Sequence, residues 1–255
     1  MRKLATICIA VFLTLIQYIA LAQDVKTKVY LVPGQGANSR QFDRLKIHDQ
    51  FEVLYIEYFT PEKGWKMHEF AKALAQQIDT SSRFVIIGVS LGGMLAVEMS
   101  EFLNPEKVII ISSAKDRYEL PTRYTFQRII PLNKLVPGKL AKAGAKILQP
   151  IVEPDSRNYK DFFREMLSDK DPVFLKRTIA MIIGWKRKAS HEEIIHIHGD
   201  ADHTIPIRNV DYDYLIEDGS HMMVYTRADE ISAIINKILL NKVNKRQNGC
   251  DVYVP

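Results

Sequence analysis

Six short apolar, largely β-branched runs recur along this chain, at residues 28–32, 51–58, 83–88, 107–111, 193–198 and 213–216. Runs this short, without polar alternation, read as strands buried on both faces. Helix-compatible stretches separate most of them, at 67–78, 94–103, 158–167 and 173–185, and a last one at 228–240 closes the pattern. Such alternation predicts an α/β fold, with one mainly parallel sheet of about six strands flanked by helices. A chain of 255 residues with 47% hydrophobic content can bury one substantial core, so a single domain is expected. No internal repeat or low-complexity segment interrupts it.

The third run leads directly into Gly88-Val89-Ser90-Leu91-Gly92, and a helix-like stretch follows. A GxSxG pentapeptide between a strand and a helix forms a sharp turn that lifts the serine hydroxyl clear of the backbone. The glycines relieve the crowding that this turn creates. Ser90 is therefore a candidate nucleophile.

Two later loops carry its chemical partners. The run at 193–198 is followed by Gly199-Asp200-Ala201-Asp202-His203-Thr204-Ile205-Pro206, which supplies a carboxylate. The run at 213–216 is followed by Glu217-Asp218-Gly219-Ser220-His221, which supplies a histidine. Serine, acid and histidine, in that order and each after a strand, are the arrangement of the α/β-hydrolase superfamily. The chain resembles that superfamily over residues 28–240.

The resemblance implies roles residue by residue. Ser90 would be the nucleophile, His221 the base and Asp202 the acid that orients the imidazole. The oxyanion donors would be the backbone amides of Leu91, after the nucleophile, and of Gln35 in Val32-Pro33-Gly34-Gln35-Gly36. Pro33 replaces the histidine usual before that first glycine, which removes no backbone donor. The family commonly has two further strands before residue 28, so this chain resembles a reduced form.

Each role has a competitor in the sequence. Asp200 shares the acid loop, and Asp116 follows the 107–111 strand, where some relatives keep their acid. Asp202 fits the Asp-x-x-x-Pro pattern after His-Gly. His203 rivals His221 but directly follows the proposed acid, too close to fold back on it. His198 reads as a strand-end structural residue, and His48, His68 and His191 as surface or helix positions.

Other motifs are weaker. His196-Ile197-His198-Gly199-Asp200-Ala201-Asp202-His203 approaches the HxHxDH zinc pattern, with histidines two apart on one strand face, but carries a two-residue insertion before the last histidine. His191 and His196 are one residue too far apart for helical HExxH. Gly34-x-Gly36 lacks the third glycine of a dinucleotide fingerprint and the lysine of a P-loop. Neither a cofactor nor a metal is expected.

One crossover does not account for the interval between 111 and 193. Residues 115–190, broken by Pro121, Pro131, Pro137, Pro150 and Pro154, have the size and position of the helical cap that this superfamily inserts before the acid-bearing strand. The segment carries 17 Lys and Arg against 8 Asp and Glu, a net of +9. That excess reads as a solvated lid face, with weak attraction to anionic substrates or surfaces as the sharper reading. Trp185 and the apolar 179–183 stretch read as its buried face.

At the amino terminus, Arg2-Lys3, an apolar stretch over 4–16 and Ala20-Leu21-Ala22 match a secretory signal peptide cleaved after residue 22. A membrane anchor is the alternative. Cleavage would leave residues 23–255 in a secreted or periplasmic compartment. Cys8 would depart with the leader and leave Cys250 in a polar tail over 241–255, so no internal disulfide is expected. The formal net charge of +5 falls to about +3 on cleavage, and no nucleic-acid recognition motif accompanies it. The sequence does not set an oligomeric state.

The resemblance thus implies an exported serine hydrolase that cleaves a carboxylic ester of a small-molecule acyl substrate through an acyl-serine. Acyltransferase and thioesterase activities use the same machinery. A non-catalytic binding protein on the same fold is the reading from another class.

Overall fold

A computed structural model describes residues 26–124, 158–188 and 193–241. The leader with Cys8, residues 125–157 of the proline-broken stretch, residues 189–192 with His191, and the tail with Cys250 lie outside the described residues. Among the described residues, no helix is long and apolar enough to cross a membrane.

The six strands are β1 (Thr27–Val32), β2 (Phe51–Tyr55), β3 (Phe84–Val89), β4 (Lys107–Ile111), β5 (Ile194–Gly199) and β6 (Tyr214–Ile216). They form one sheet in the order β2-β1-β3-β4-β5-β6, and every pair is parallel. The helices are α1 (Met67–Leu74), α2 (Leu91–Met99), α3 (Lys160–Ser168), α4 (Pro172–Ile183), α5 (Met223–Thr226) and α6 (Ala228–Leu240).

The period of two along each strand divides the core. Tyr30, Val32, Ile86, Val108 and Ile110 face one side, where they pack with Phe70, Ala71 and Leu74 of α1, Leu95 and Met99 of α2, and Phe174 of α4. Val29, Leu31, Val85, Ile87, Ile109 and Ile197 face the other and meet Ile231, Ile234, Ile235 and Ile238 of α6. Full burial of each such aliphatic side chain contributes about 1.5–3 kcal/mol, so a strand apolar on both faces is held from both sides. Polar alternation would have left one face open to water.

Several boundaries differ from the sequence expectation for local reasons. β2 stops at Tyr55, three residues early, because β1 ends just before Pro33 and the Gln77 side chain takes over the backbone N–H and carbonyl of Glu57 (2.9 and 3.0 Å). α1 accordingly gives way to a 3-10 turn at Ala75–Gln77. α4 starts one residue early, because Pro172 occupies its first turn and Asp171 caps it by accepting from the Val173 amide (2.9 Å). It stops at Ile183 so that Trp185 can turn inward and donate its indole N–H to Glu98 (2.7 Å).

Candidate active site

β3 runs into α2 through a turn with almost no room. Ser90 sits at φ 53°, ψ −119°, a conformation that costs an L-residue about 1–3 kcal/mol and survives only where its surroundings enforce it. The enforcement is visible. The Ser90 amide donates to Ile111 O (3.0 Å), and its carbonyl accepts from the Gly93 and Met94 amides (2.9 and 3.1 Å) and the Ser113 hydroxyl (2.7 Å).

A Cβ on Gly88 would strike the Gly92 backbone, one on Gly92 would strike the Val32 and Pro33 carbonyls, and one on Gly93 would strike the Ser113 side chain. Gly92→Ala is expected to cost about 3 kcal/mol, because the obstructing atoms are backbone and cannot rotate away. Gly36→Ala meets only the flexible end of Leu167 and should cost far less. Urea midpoints measured for both variants check this, and equal midpoints would refute the close approach.

The hydroxyl that the turn presents meets the histidine loop. Ser90 Oγ lies 2.8 Å from His221 Nε2, and His221 Nδ1 lies 2.8 Å from Asp202 Oδ2. Asp202 is 1% exposed, and its other oxygen accepts the Thr204 and Ile205 amides, each at 2.8 Å. Burial pushes the carboxyl upward in pKa, but the His221 imidazole beside it, helped by His198 and the Ile205 amide, leaves it below the ordinary carboxylate value. Such a carboxylate stays ionised at neutral pH and holds the proton of His221 on Nδ1, so that Nε2 is free to accept from Ser90.

Both loops emerge at the carboxyl end of the sheet, where β5 and β6 pair up to Gly199 and Ile216. Gly199 abuts the backbone of Gly219, which leaves no space for a side chain at either loop's base. Asp200, the rival acid, instead accepts the Asp218 amide (2.7 Å) and so braces the turn before His221. Asp116 caps its own turn through the Tyr118 amide (2.7 Å). His203 and His48 are exposed. His68, on α1, meets Glu98 (3.2 Å). His196 and His198 are fully buried and contact each other.

The Gly34-Gln35-Gly36 loop stands opposite the serine, with a Cβ on Gly34 only 3.7 Å from the Cβ of Ser90. Its shape is fixed by partners that no motif announces. The buried Gln41 side chain accepts the Gly34 amide (2.9 Å), the Tyr58 hydroxyl donates to Pro33 O (2.6 Å), and the Gln35 side chain donates to Thr178 on α4 (2.7 Å). Gln35 lines the same cavity as Ser90, and Leu91 follows the serine as the first residue of α2. A polar residue seven positions after a glycine carries no recognisable spacing, so Gln41 could not have been singled out from sequence. Ser113, two residues past β4, was equally silent.

A cavity of about 300 Å³ opens over Ser90 and His221. Met94, Phe163, Met166, Leu167, Ile182 and Met222 supply its apolar wall, so α3 and α4 both face it. Among the described residues, no Lys, Arg, Asp or Glu lines it. Three described basic groups of the 115–190 segment have their own partners: Arg177 donates to Pro61 O, Arg123 to Thr204 O, and Arg187 to Glu101.

No protein-family model and no curated protein matches the chain significantly. Solved structures do resemble it. A hydrolase from Pseudomonas aeruginosa PA01 superposes with a TM-score of 0.65 at 14% identity, over 84% of this chain and 90% of that one. An enol-lactonase from Burkholderia xenovorans LB400 gives 0.65 at 13% identity, over 85% and 92%. A thermophilic esterase from Thermogutta terrifontis, with malate bound, gives 0.64 at 16% identity, over 86% and 91%. These likenesses, with the parallel sheet and its flanking helices, establish an α/β-hydrolase fold.

Proposed function

We propose that this chain of α/β-hydrolase fold is a serine hydrolase that cleaves carboxylic esters through an acyl-serine. The observation that carries the reading is the continuous hydrogen-bonded series from Ser90 Oγ through His221 to Asp202, each link 2.8 Å long. In this reading His221 Nε2 takes the serine proton as Oγ attacks the ester carbon. The carbonyl oxygen becomes an oxyanion received by the Gln35 and Leu91 amides. His221 then passes the proton to the departing alkoxide, and water, activated by the same nitrogen, releases the acid and restores Ser90.

Acyl transfer and thioester cleavage would use the same covalent step and differ in what enters or leaves. A purely binding role would give no use to a hydroxyl held in a strained turn against an imidazole. Export of the enzyme is part of the proposal and rests on the leader-like residues 1–22. Labelling of Ser90 by a fluorophosphonate probe is the direct test, and a chain that neither labels nor turns over esters would end the reading.

The proposal assigns α3 and α4 the role of a cap that selects the acyl group. The apolar wall that the described residues supply favours neutral alkyl chains over anionic ones, because burying a charge beside apolar side chains is costly. Met166→Trp is expected to fill part of the cavity and lower turnover of long-chain p-nitrophenyl esters relative to the acetate by about 10-fold or more. Labelling of Ser90 should continue. An unchanged chain-length profile would remove α3 from that role.

A further inference from the structure

The catalytic scheme leaves two fully buried histidines unused. His196 and His198 lie two residues apart on β5 and so share a face. His198 Nδ1 is 3.1 Å from His196 Nε2. At one end of this pair His196 Nδ1 is 3.0 Å from the Asp211 carbonyl. At the other, His198 Nε2 is 2.9 Å from the Ile205 carbonyl and 3.7 Å from Asp202 Oδ2.

These three contacts need one proton each, and two neutral imidazoles carry only two. Burial pushes both rings below the ordinary histidine pKa, His196 well below it, so the pair is neutral at neutral pH and one contact goes without. Electrostatics decides which. A bare His198 Nε2 would turn its lone pair on both a carbonyl and the Asp202 carboxylate. Two bare nitrogens facing each other would leave a fully buried contact repulsive. A bare His196 Nδ1 faces only the carbonyl of Asp211, an exposed residue, which is the least costly place for the shortfall.

We infer that His198, protonated on Nε2 and fixed in that tautomer by a proton donated from His196 Nε2, is a positioning residue for Asp202. Ile205 is the link. Its carbonyl accepts from His198, and its amide donates to Asp202 Oδ1 at 2.8 Å. The pair therefore pins the acid loop from behind while His221 engages it from the front. Its kinetic consequence rests on the serine-hydrolase reading, whereas the tautomers do not. The charged or titratable groups around the pair are Asp202 on the acid loop, His221 beyond β6 and Lys115 beyond β4. Asp213, which accepts the His196 amide (2.9 Å), and Glu119, which accepts the Asp211 amide (3.1 Å), stand on the His196 side.

Nitrogen-15 chemical shifts of the imidazole rings in the unmodified protein at neutral pH test the assignment. The expected result is a protonated Nε2 and bare Nδ1 for both His196 and His198, with the opposite tautomer for His221. A His198 protonated on Nδ1 overturns the inference. Kinetics supply the second readout. His198→Leu, which removes the donor, should lower kcat by about 10- to 100-fold with little change in KM, since small misplacements of a catalytic group cost that much.

The acid limb of the kcat/KM profile should also move to lower pH in this variant, because an imidazolium that loses a well-placed carboxylate is less stabilised. His198→Gln, whose amide nitrogen can reach Ile205 O, should recover most of the activity. Equal activity in the two variants, high or low, counts against the relay. If His198→Leu fails to fold, the tautomers of the unmodified protein decide the matter. Failure of the unmodified protein to label at Ser90 would instead overturn the hydrolase reading and leave the nitrogen shifts as the test of the relay.

Discussion

Ser90→Ala is expected to abolish fluorophosphonate labelling and to lower ester turnover by a factor on the order of 10⁶, with the fold retained. The magnitude follows from the covalent step. Without Oγ no acyl-enzyme forms, and what remains is water attack assisted by the oxyanion donors alone. The fold should survive because the elbow is held by backbone atoms, namely the Ser90 amide on Ile111 and its carbonyl on Gly93, Met94 and Ser113, and none of these bonds uses the side chain. Alanine still has to adopt φ 53°, so the variant should melt close to the parent. Probe labelling followed by mass spectrometry, alongside a thermal melt, checks both halves. Turnover undiminished in a folded variant would show that the chemistry lies elsewhere.

The central strands were legible because they are buried on both faces, whereas the edge strands β2 and β6 are only partly buried, having a neighbour on one side alone. Val85 to Val89, Val108 to Ile111 and Ile194 to Ile197 read as apolar runs for the same reason that they occupy central positions, with helices above and below. Ser90, Asp202 and His221 were legible because their loops follow strands directly, and a parallel sheet puts every strand's carboxyl end at one edge. Sequence order alone therefore brought Ser90, Asp202 and His221 to the same side.

What stayed hidden depends on contacts between residues far apart in the chain. Gln41 on Gly34, Ser113 on the Ser90 carbonyl and Gln35 on Thr178 are single hydrogen bonds with no periodicity behind them. The zinc-like spacing of His196 and His198 was a true sign that two rings share a face. What they meet, each other and two carbonyls, is decided by the neighbouring loops rather than by the motif. Helix ends shifted for a similar reason, since Trp185 breaks away from α4 to reach Glu98 on α2.

Asp202→Asn should lower turnover by about 10⁴-fold, and Asp200→Asn should leave it within a few-fold of the parent, although the two carboxylates are two residues apart in one loop. Asp202 contacts His221 Nδ1 at 2.8 Å and is buried, whereas Asp200 is exposed and holds only the Asp218 amide. An asparagine at 202 can present its NH₂ group to Nδ1 and favour the tautomer protonated on Nε2, which cannot accept the Ser90 proton.

The sign of the pH dependence follows from the same carboxylate. Its folded pKa lies below the ordinary carboxylate value, so its ionised form contributes stability above that value, and the contribution is lost only as pH falls through the folded pKa. The acid limb of the rate profile should accordingly report the imidazole rather than Asp202, which stays charged. Parallel kcat measurements on the two asparagine variants across pH 5–9 decide the assignment. A large loss confined to Asp200→Asn would transfer the acid role to that residue, and full activity in both would direct attention to Asp116 beyond β4.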